Sequence, residues 1–298
     1  MNNYHLAVWI FLFALPKLMG QSLILADGTH LKKIHIRGKT VALQRGKGMP
    51  FTKVKNDLFK KFLVRGNQDP KFRMQWAMLN LTENKIVAAS KSSQSKRFYG
   101  ASVTKIYVAG ALLTKRNGQI TPIDTLMLTK LIAVSSNTAW ARMQLELGAG
   151  DETKGKKYVQ NFTEDLGLQN TTSFRGWLNK VHGNETTAMD LVKFIEAVFR
   201  DDFPGSQDLW TIMWSCRTGG RKGLKYLPKN LIVGGKTGTY HGPTIEPMSA
   251  KPYIANVHHH LLIFKSRNIA YALAILSDKG KADDIAIMAG GLFRAISD

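Results

Sequence analysis

Cysteine and acidic residues are what this chain has least of. One cysteine, Cys216, stands in 298 residues. That excludes an internal disulfide framework and a zinc site built from several thiolates. Asp and Glu number 21 against 42 Lys and Arg, for a formal net charge of +21. Neither a Gly-X-Y repeat nor a sustained heptad is present, so collagen-like and coiled-coil architectures are excluded. After the amino-terminal segment no apolar run approaches the roughly 20 residues that a spanning helix needs. Disorder is excluded by the 44% hydrophobic content. The length allows one large domain or two small ones with a sizeable core.

What is there begins with a short apolar run, Leu6 to Leu15, broken by Pro16 and followed by Leu18-Met19-Gly20. This reads as an export signal over residues 1–20, cut near Gly20, although Met1 to His5 carries no Lys or Arg. An uncleaved anchor is the competing expectation. The chain is therefore expected to be exported, periplasmic or extracellular. Residues 21–50 form a basic extension, with short strands expected at Lys33 to Ile36 and Thr40 to Leu43. From Lys32 to Arg65 there are eleven basic residues, and Asp57 is the one acid. Such a surface suits an anionic envelope polymer, or it merely solubilises the chain. Nucleic acid is not expected, because no recognised binding motif accompanies the charge. Leu58, Phe59, Phe62 and Leu63 predict a short helix with an apolar stripe.

The main folded body is expected over residues 51–298, as one cooperative unit. Strands are predicted at Phe72 to Leu81, Lys85 to Ser90, Tyr253 to Phe264 and Ile269 to Leu276. Helices are predicted at Leu126 to Val134, Thr138 to Leu147, Met189 to Phe199 and Lys281 to Ile296. The order of elements predicts an α+β fold: an antiparallel sheet flanked by helices plus an all-helical subdomain.

Three motifs lie in this body. Ser102-x-x-Lys105 puts a hydroxyl and an amine on one helix face. Serine becomes a nucleophile when a base takes its proton, and a lysine can be that base if burial and nearby positive charge lower its pKa. Alone, the tetrapeptide can be no more than a helix opening. Ser135-Ser136-Asn137 falls in a polar break between two helical stretches. Its groups can relay a proton and hold a substrate amide, or simply cap the following helix. Lys236-Thr237-Gly238-Thr239 follows an apolar strand. Its lysine and hydroxyl suit a carboxylate, and Gly238 allows close approach. The backbone N–H groups of Thr239 and Ser102 suit an oxyanion.

Together the three motifs resemble the active-site serine superfamily of class A β-lactamases and penicillin-binding proteins. Ala101-Ser102-Val103-Thr104-Lys105, Ser136-Asn137-Thr138-Ala139, Glu185-Thr186-Thr187-Ala188-Met189 and Gly235-Lys236-Thr237-Gly238-Thr239 resemble class A text in class A order. The resemblance implies an acyl-serine intermediate and no metal or organic cofactor. It implies Ser102 as nucleophile, Lys105 as its activating partner, Ser135 as proton relay and Asn137 as substrate-amide holder. It implies Lys236 and Thr237 at the substrate carboxylate and the Thr239 amide at the oxyanion. The implied substrate is a β-lactam or a D-alanyl peptide of peptidoglycan.

The sequence departs from the family pattern in two places. A glutamate that activates the hydrolytic water is expected in Thr172 to Asn179, and if Trp177 aligns with the family's tryptophan, Leu178 stands in its place. Deacylation is then expected to be slow, which favours a D,D-peptidase or penicillin-binding protein as the alternative. A catalytically weak wall-binding protein is a third reading. The second departure is that Ser102 and Ser135 lie closer together than is usual, implying a trimmed helical part.

Glu185 reads as a solvated loop charge and Cys216 as a packed side chain. Arg217 and Arg221 suit a carboxylate, but surface placement is expected. His258-His259-His260 reads as a polar strand segment whose side chains alternate between faces.

Overall fold

The computed structural model describes residues 33–36, 39–42, 56–68, 73–172, 184–219, 223–242 and 256–297. The expected export segment, most of the basic extension, Leu178 and Arg221 lie outside them.

In chain order the elements are β1 (Lys33–Ile36), β2 (Lys39–Ala42), α1 (Asn56–Gln68), β3 (Met74–Asn80), β4 (Lys85–Ala89) and β5 (Phe98–Tyr99). A 3-10 turn (Ala101–Thr104) then opens α2 (Lys105–Lys115), followed by α3 (Pro122–Ala133), α4 (Asn137–Leu147) and α5 (Glu152–Asp165). Next come β6 (Glu185–Thr186), α6 (Ala188–Arg200), α7 (Ser206–Met213), β7 (Val233–His241), β8 (Asn256–Ser266), β9 (Ile269–Ser277) and α8 (Ala282–Ser297).

The main sheet runs β4-β3-β9-β8-β7, antiparallel throughout. Its central strands are nearly continuous apolar runs because both faces are covered. The two-residue period divides them. Ala77 and Leu79 of β3 and Ala270, Ala272, Ala274 and Leu276 of β9 join the core shared with α2, α4 and α6. Met74, Trp76, Met78, Leu273 and Ile275 join the second core, which includes Ile285, Met288 and Phe293 of α8. The small alanines face the helical side, so α6 approaches the sheet closely. The expected stripe of α1 is present: Phe59, Phe62 and Leu63 pack against the second core. The observed architecture is the α+β arrangement of an antiparallel sheet flanked by helices with an all-helical part.

Capping fixes the helix starts around the site. Thr121 and Asp124 form a reciprocal capping box before Pro122 opens α3. Thr187 Oγ1 accepts from Asp190 N at 3.1 Å to start α6. Residues 116–121 are all that join α2 to α3, so the helical part is short between Ser102 and Ser135.

Candidate active site

The turn that bears Ser102 is clamped before it begins. β5 pairs antiparallel with β6, Phe98 opposite Thr186 and Tyr99 opposite Glu185. Gly100 N donates to Asn184 O at 2.8 Å. Ala101 then takes a left-handed φ of 45°, a conformation that costs a non-glycine residue about 1–3 kcal/mol and persists only where its surroundings enforce it. Ser102 follows, half-buried. The Lys105 backbone N–H bonds the carbonyls of Ser102 and Val103, so serine and lysine share one tight turn at the start of α2.

The Lys105 side chain is fully buried. Its Nζ donates to Ser135 O and to Asn137 Oδ1, each at 2.6 Å, and lies 3.4 Å from Ser135 Oγ. Burial, and then the neighbouring Lys236 charge, push this amine down to about 7. Lys236, also fully buried, donates to Ser135 Oγ at 2.8 Å and to Thr237 O at 2.9 Å. Burial lowers it to about 8, with an opposing contribution from Cys216.

The middle motif divides its labour. Ser136 Oγ caps α4 by accepting from Ala139 N at 3.1 Å. The cap is therefore made by the central residue, and both neighbours are released to face Lys105. Ser135 sits at φ 59°, which turns its carbonyl to Lys105 while its hydroxyl meets Lys236. Val134, just before it, is 55% exposed.

β7 supplies the opposite wall. Lys236 and Thr237 pair in register with Leu261 and His260 of β8, and Gly238 and Thr239 with His259 and His258. A Cβ on Gly238 would lie 3.0 Å from Gly100 O and 3.1 Å from Val103 N, so glycine lets the strand run against the turn that bears Ser102. Thr237 Oγ1 donates to Thr218 Oγ1 at 2.6 Å. The three motifs, far apart in sequence, thus converge: Lys105, Ser135, Asn137 and Lys236 form one hydrogen-bonded cluster, and Gly238 abuts the turn that holds Ser102.

The Beta-lactamase enzyme family model matches residues 122–297, more than half of the chain and two of the three motifs. The chain belongs to the β-lactamase enzyme family. Solved structures of similar fold include a class A β-lactamase from Mycobacterium abscessus, with TM-score 0.62, 17% identity, and coverage of 80% of this chain and 100% of that one. Another is a representative of class A β-lactamase from Bacteroides cellulosilyticus, with TM-score 0.61, 20% identity, and coverage of 84% and 99%. No curated protein matches the chain. The family's serine-hydrolase fold places the turn bearing Ser102 between the sheet edge and the helical part.

Several residues sit differently from expectation. Glu185, expected as a solvated charge, is fully buried in β6. Its backbone pairs with Thr172 at 2.8 and 2.9 Å. Thr218 was not singled out by sequence at all. No motif marks it, since its place beside Thr237 arises from the chain folding back after α7. Cys216 is buried, as expected of a packed side chain, with Sγ 3.4 Å from Thr218 Oγ1. Arg217 is exposed, and its N–H bonds Ala133 O at 2.9 Å. The histidine run alternates between faces, but His259 and His260 are buried and so do not belong to a polar surface strand. Among the described residues no cluster of three metal-ligating side chains occurs.

Proposed function

We propose that this member of the family is an acyl-transferring serine hydrolase that takes β-lactams or the D-alanyl peptides they imitate, acylating quickly and deacylating slowly. The observation that carries the reading is the setting of Lys105. A neutral amine has two N–H bonds and one lone pair, and two acceptors at 2.6 Å engage two N–H bonds. The lone pair is then left for a hydroxyl: Ser135 Oγ lies 3.4 Å away, and Ser102 opens the same turn. An amine held down to about 7 is substantially neutral at physiological pH.

In this reading Lys105 takes the Ser102 hydroxyl proton as Oγ bonds to the substrate carbonyl carbon. The N–H groups of Ser102 and Thr239 receive the oxyanion, a contribution of roughly 3–4 kcal/mol per donor. The C–N bond breaks, and the proton passes from Lys105 through Ser135 to the leaving nitrogen. Asn137 holds the substrate amide, and Lys236 with Thr237 holds its carboxylate. What remains is an ester on Ser102. Its hydrolysis needs an activated water, and Leu178 in the glutamate's place supplies no base.

The D,D-peptidase reading shares this acylation and is favoured by Leu178 and by the basic stretch from Lys32 to Arg65. In both, residues 1–20 direct export, residues 21–50 contact an anionic envelope polymer and residues 51–298 carry the chemistry. Among the described residues no helix is long and apolar enough to cross a membrane.

The test is a labelled penicillin followed by intact mass. A persistent adduct that disappears in Ser102→Ala supports the proposal. Rapid turnover would place an efficient deacylation base elsewhere in the chain. Absence of any adduct would leave the wall-binding reading.

A further inference from the structure

The buried pair His259-His260 is not absorbed by the three motifs. We infer that these adjacent histidines are positioning residues which grip the site from opposite faces of β8, His259 holding the nucleophile turn and His260 holding the hydroxyl pair that meets the substrate carboxylate. The inference rests on the acylation reading above.

His259 faces the helical side. Its Nδ1 accepts from Ser277 N at 3.0 Å on β9, and its Nε2 lies 2.7 Å from Tyr99 O. With Nδ1 occupied by a donor, the proton resides on Nε2 and is given to Tyr99 O. Tyr99 is three residues before Ser102 and two before the left-handed Ala101. The imidazole thus links β9 to the entrance of the nucleophile turn. On β7 its register partner is Gly238, which abuts the same turn.

His260 faces the other way, in register with Thr237. Its Nδ1 accepts from Gly223 N at 3.1 Å. Gly219, at φ 109°, lies so close that a Cβ there would sit 2.6 Å from His260 Cε1 and 2.8 Å from Thr237 Cγ2. The chain segment carrying Thr218 is therefore seated on this imidazole. That seating brings Thr218 Oγ1 to 2.6 Å from Thr237 Oγ1. Both rings spend an Nδ1 lone pair on a backbone N–H, so neither is a base toward substrate through that nitrogen. Leucine follows at 261 and 262, so burial alone does not call for imidazole at 259 and 260.

The two grips predict separable defects, read from the acylation rate at varied penicillin concentration. His259→Asn keeps an acceptor for Ser277 but loses the bond to Tyr99 O. The limiting acylation rate is expected to fall about tenfold with the half-saturating concentration little changed. His259→Gln, which can reach Tyr99 O, recovers much of the rate. His260→Ala is expected to raise the half-saturating concentration about tenfold for a penicillin but not for its methyl ester, which lacks the carboxylate. His260→Asn, whose Oδ1 can accept from Gly223, restores binding. In the folded wild type, nitrogen NMR is expected to find both rings as Nε2–H tautomers, a result that does not depend on any variant folding. Rate and half-saturation changing together in both positions, equal loss for acid and ester, or Nδ1–H tautomers would overturn the inference while leaving the acylation reading intact. A wild type that forms no adduct on Ser102 would remove that reading, and this inference with it.

Discussion

Lys236 Nζ donates to Ser135 Oγ at 2.8 Å, tying strand β7 to the loop ahead of α4. Lys105 Nζ also lies 3.4 Å from the same hydroxyl. One small hydroxyl thus meets two buried amines, and the electrostatics of the site follow from that crowding.

The first consequence is a narrow pH window for acylation. In the proposed mechanism Lys105 must be neutral to take a proton, and it is held down to about 7, while Lys236 must stay charged to bind a carboxylate, and it is held down to about 8. Acylation is expected to rise with pH through about 7 and fall again through about 8, the two values belonging to the pair as a whole. Stopped-flow acylation of a penicillin across pH 5–10 measures this. A flat profile through that range would contradict it.

Removing one charge should move the other group. Lys236→Met deletes the positive neighbour that helps depress Lys105, so the lysine's pKa rises and the acid limb shifts to higher pH. Measured with a carboxylate-free β-lactam ester, the limb is expected to move to higher pH, burial remaining the larger cause of the depression. No movement would mean that burial alone sets the amine.

An amine buried to zero exposure, as that of Lys105 is, should cost stability. Lys105→Met is expected to abolish acylation and raise the melting temperature by a few degrees. The sign of its pH dependence follows from linkage. The folded pKa is about 7 against 10.5 ordinarily, so between these values the unfolded chain binds the extra proton and the wild type gains stability as pH rises. The variant's advantage is therefore largest at pH 7 and below, and shrinks toward pH 10. Calorimetry at the two extremes decides it.

Close approach of β7 to the turn that bears Ser102 can be tested at Gly238. A methyl group there meets Gly100 O and Val103 N at 3.0 and 3.1 Å, so the strand must retreat by tenths of an ångström. Gly238→Ala is expected to slow acylation about tenfold or more while lowering the melting temperature only slightly. Acylation at the wild-type rate would show that the strand's position is not critical.

The basic amino-terminal stretch makes a separate prediction. A chain lacking residues 1–50 is expected to bind isolated cell wall more weakly and with less sensitivity to salt, while acylating a soluble penicillin at the full rate. Co-sedimentation at increasing ionic strength reads both effects. Unchanged binding would reduce the charge to a solubilising role.

What was legible in the sequence, and what was not, follows from where the information lies. β8 and β9 are long apolar runs and were found within a few residues of their ends. α3, α4, α6 and α8 were found because apolar side chains recur at helical spacing. α5 was missed: Glu152–Asp165 is largely polar, and what buries it is the wide spacing of Gly155, Val159 and Phe162. α7 was missed because Leu209, Trp210, Ile212 and Met213 crowd eight residues without a visible polar face. Ser102, Lys105, Ser135, Asn137, Lys236, Thr237, Gly238 and Thr239 were legible as motifs, since local spacing carries them. Glu185 was misread because an acid among threonines looks solvated, whereas pairing with Tyr99 draws it inside. Thr218 and the two buried histidines depend on contacts between distant segments, which no local pattern records.

Helix α1 packs against the core that includes α8, on the sheet face turned away from α2 and α6. The helix by which the polypeptide enters this domain thus lies on the face opposite the one that carries Lys105.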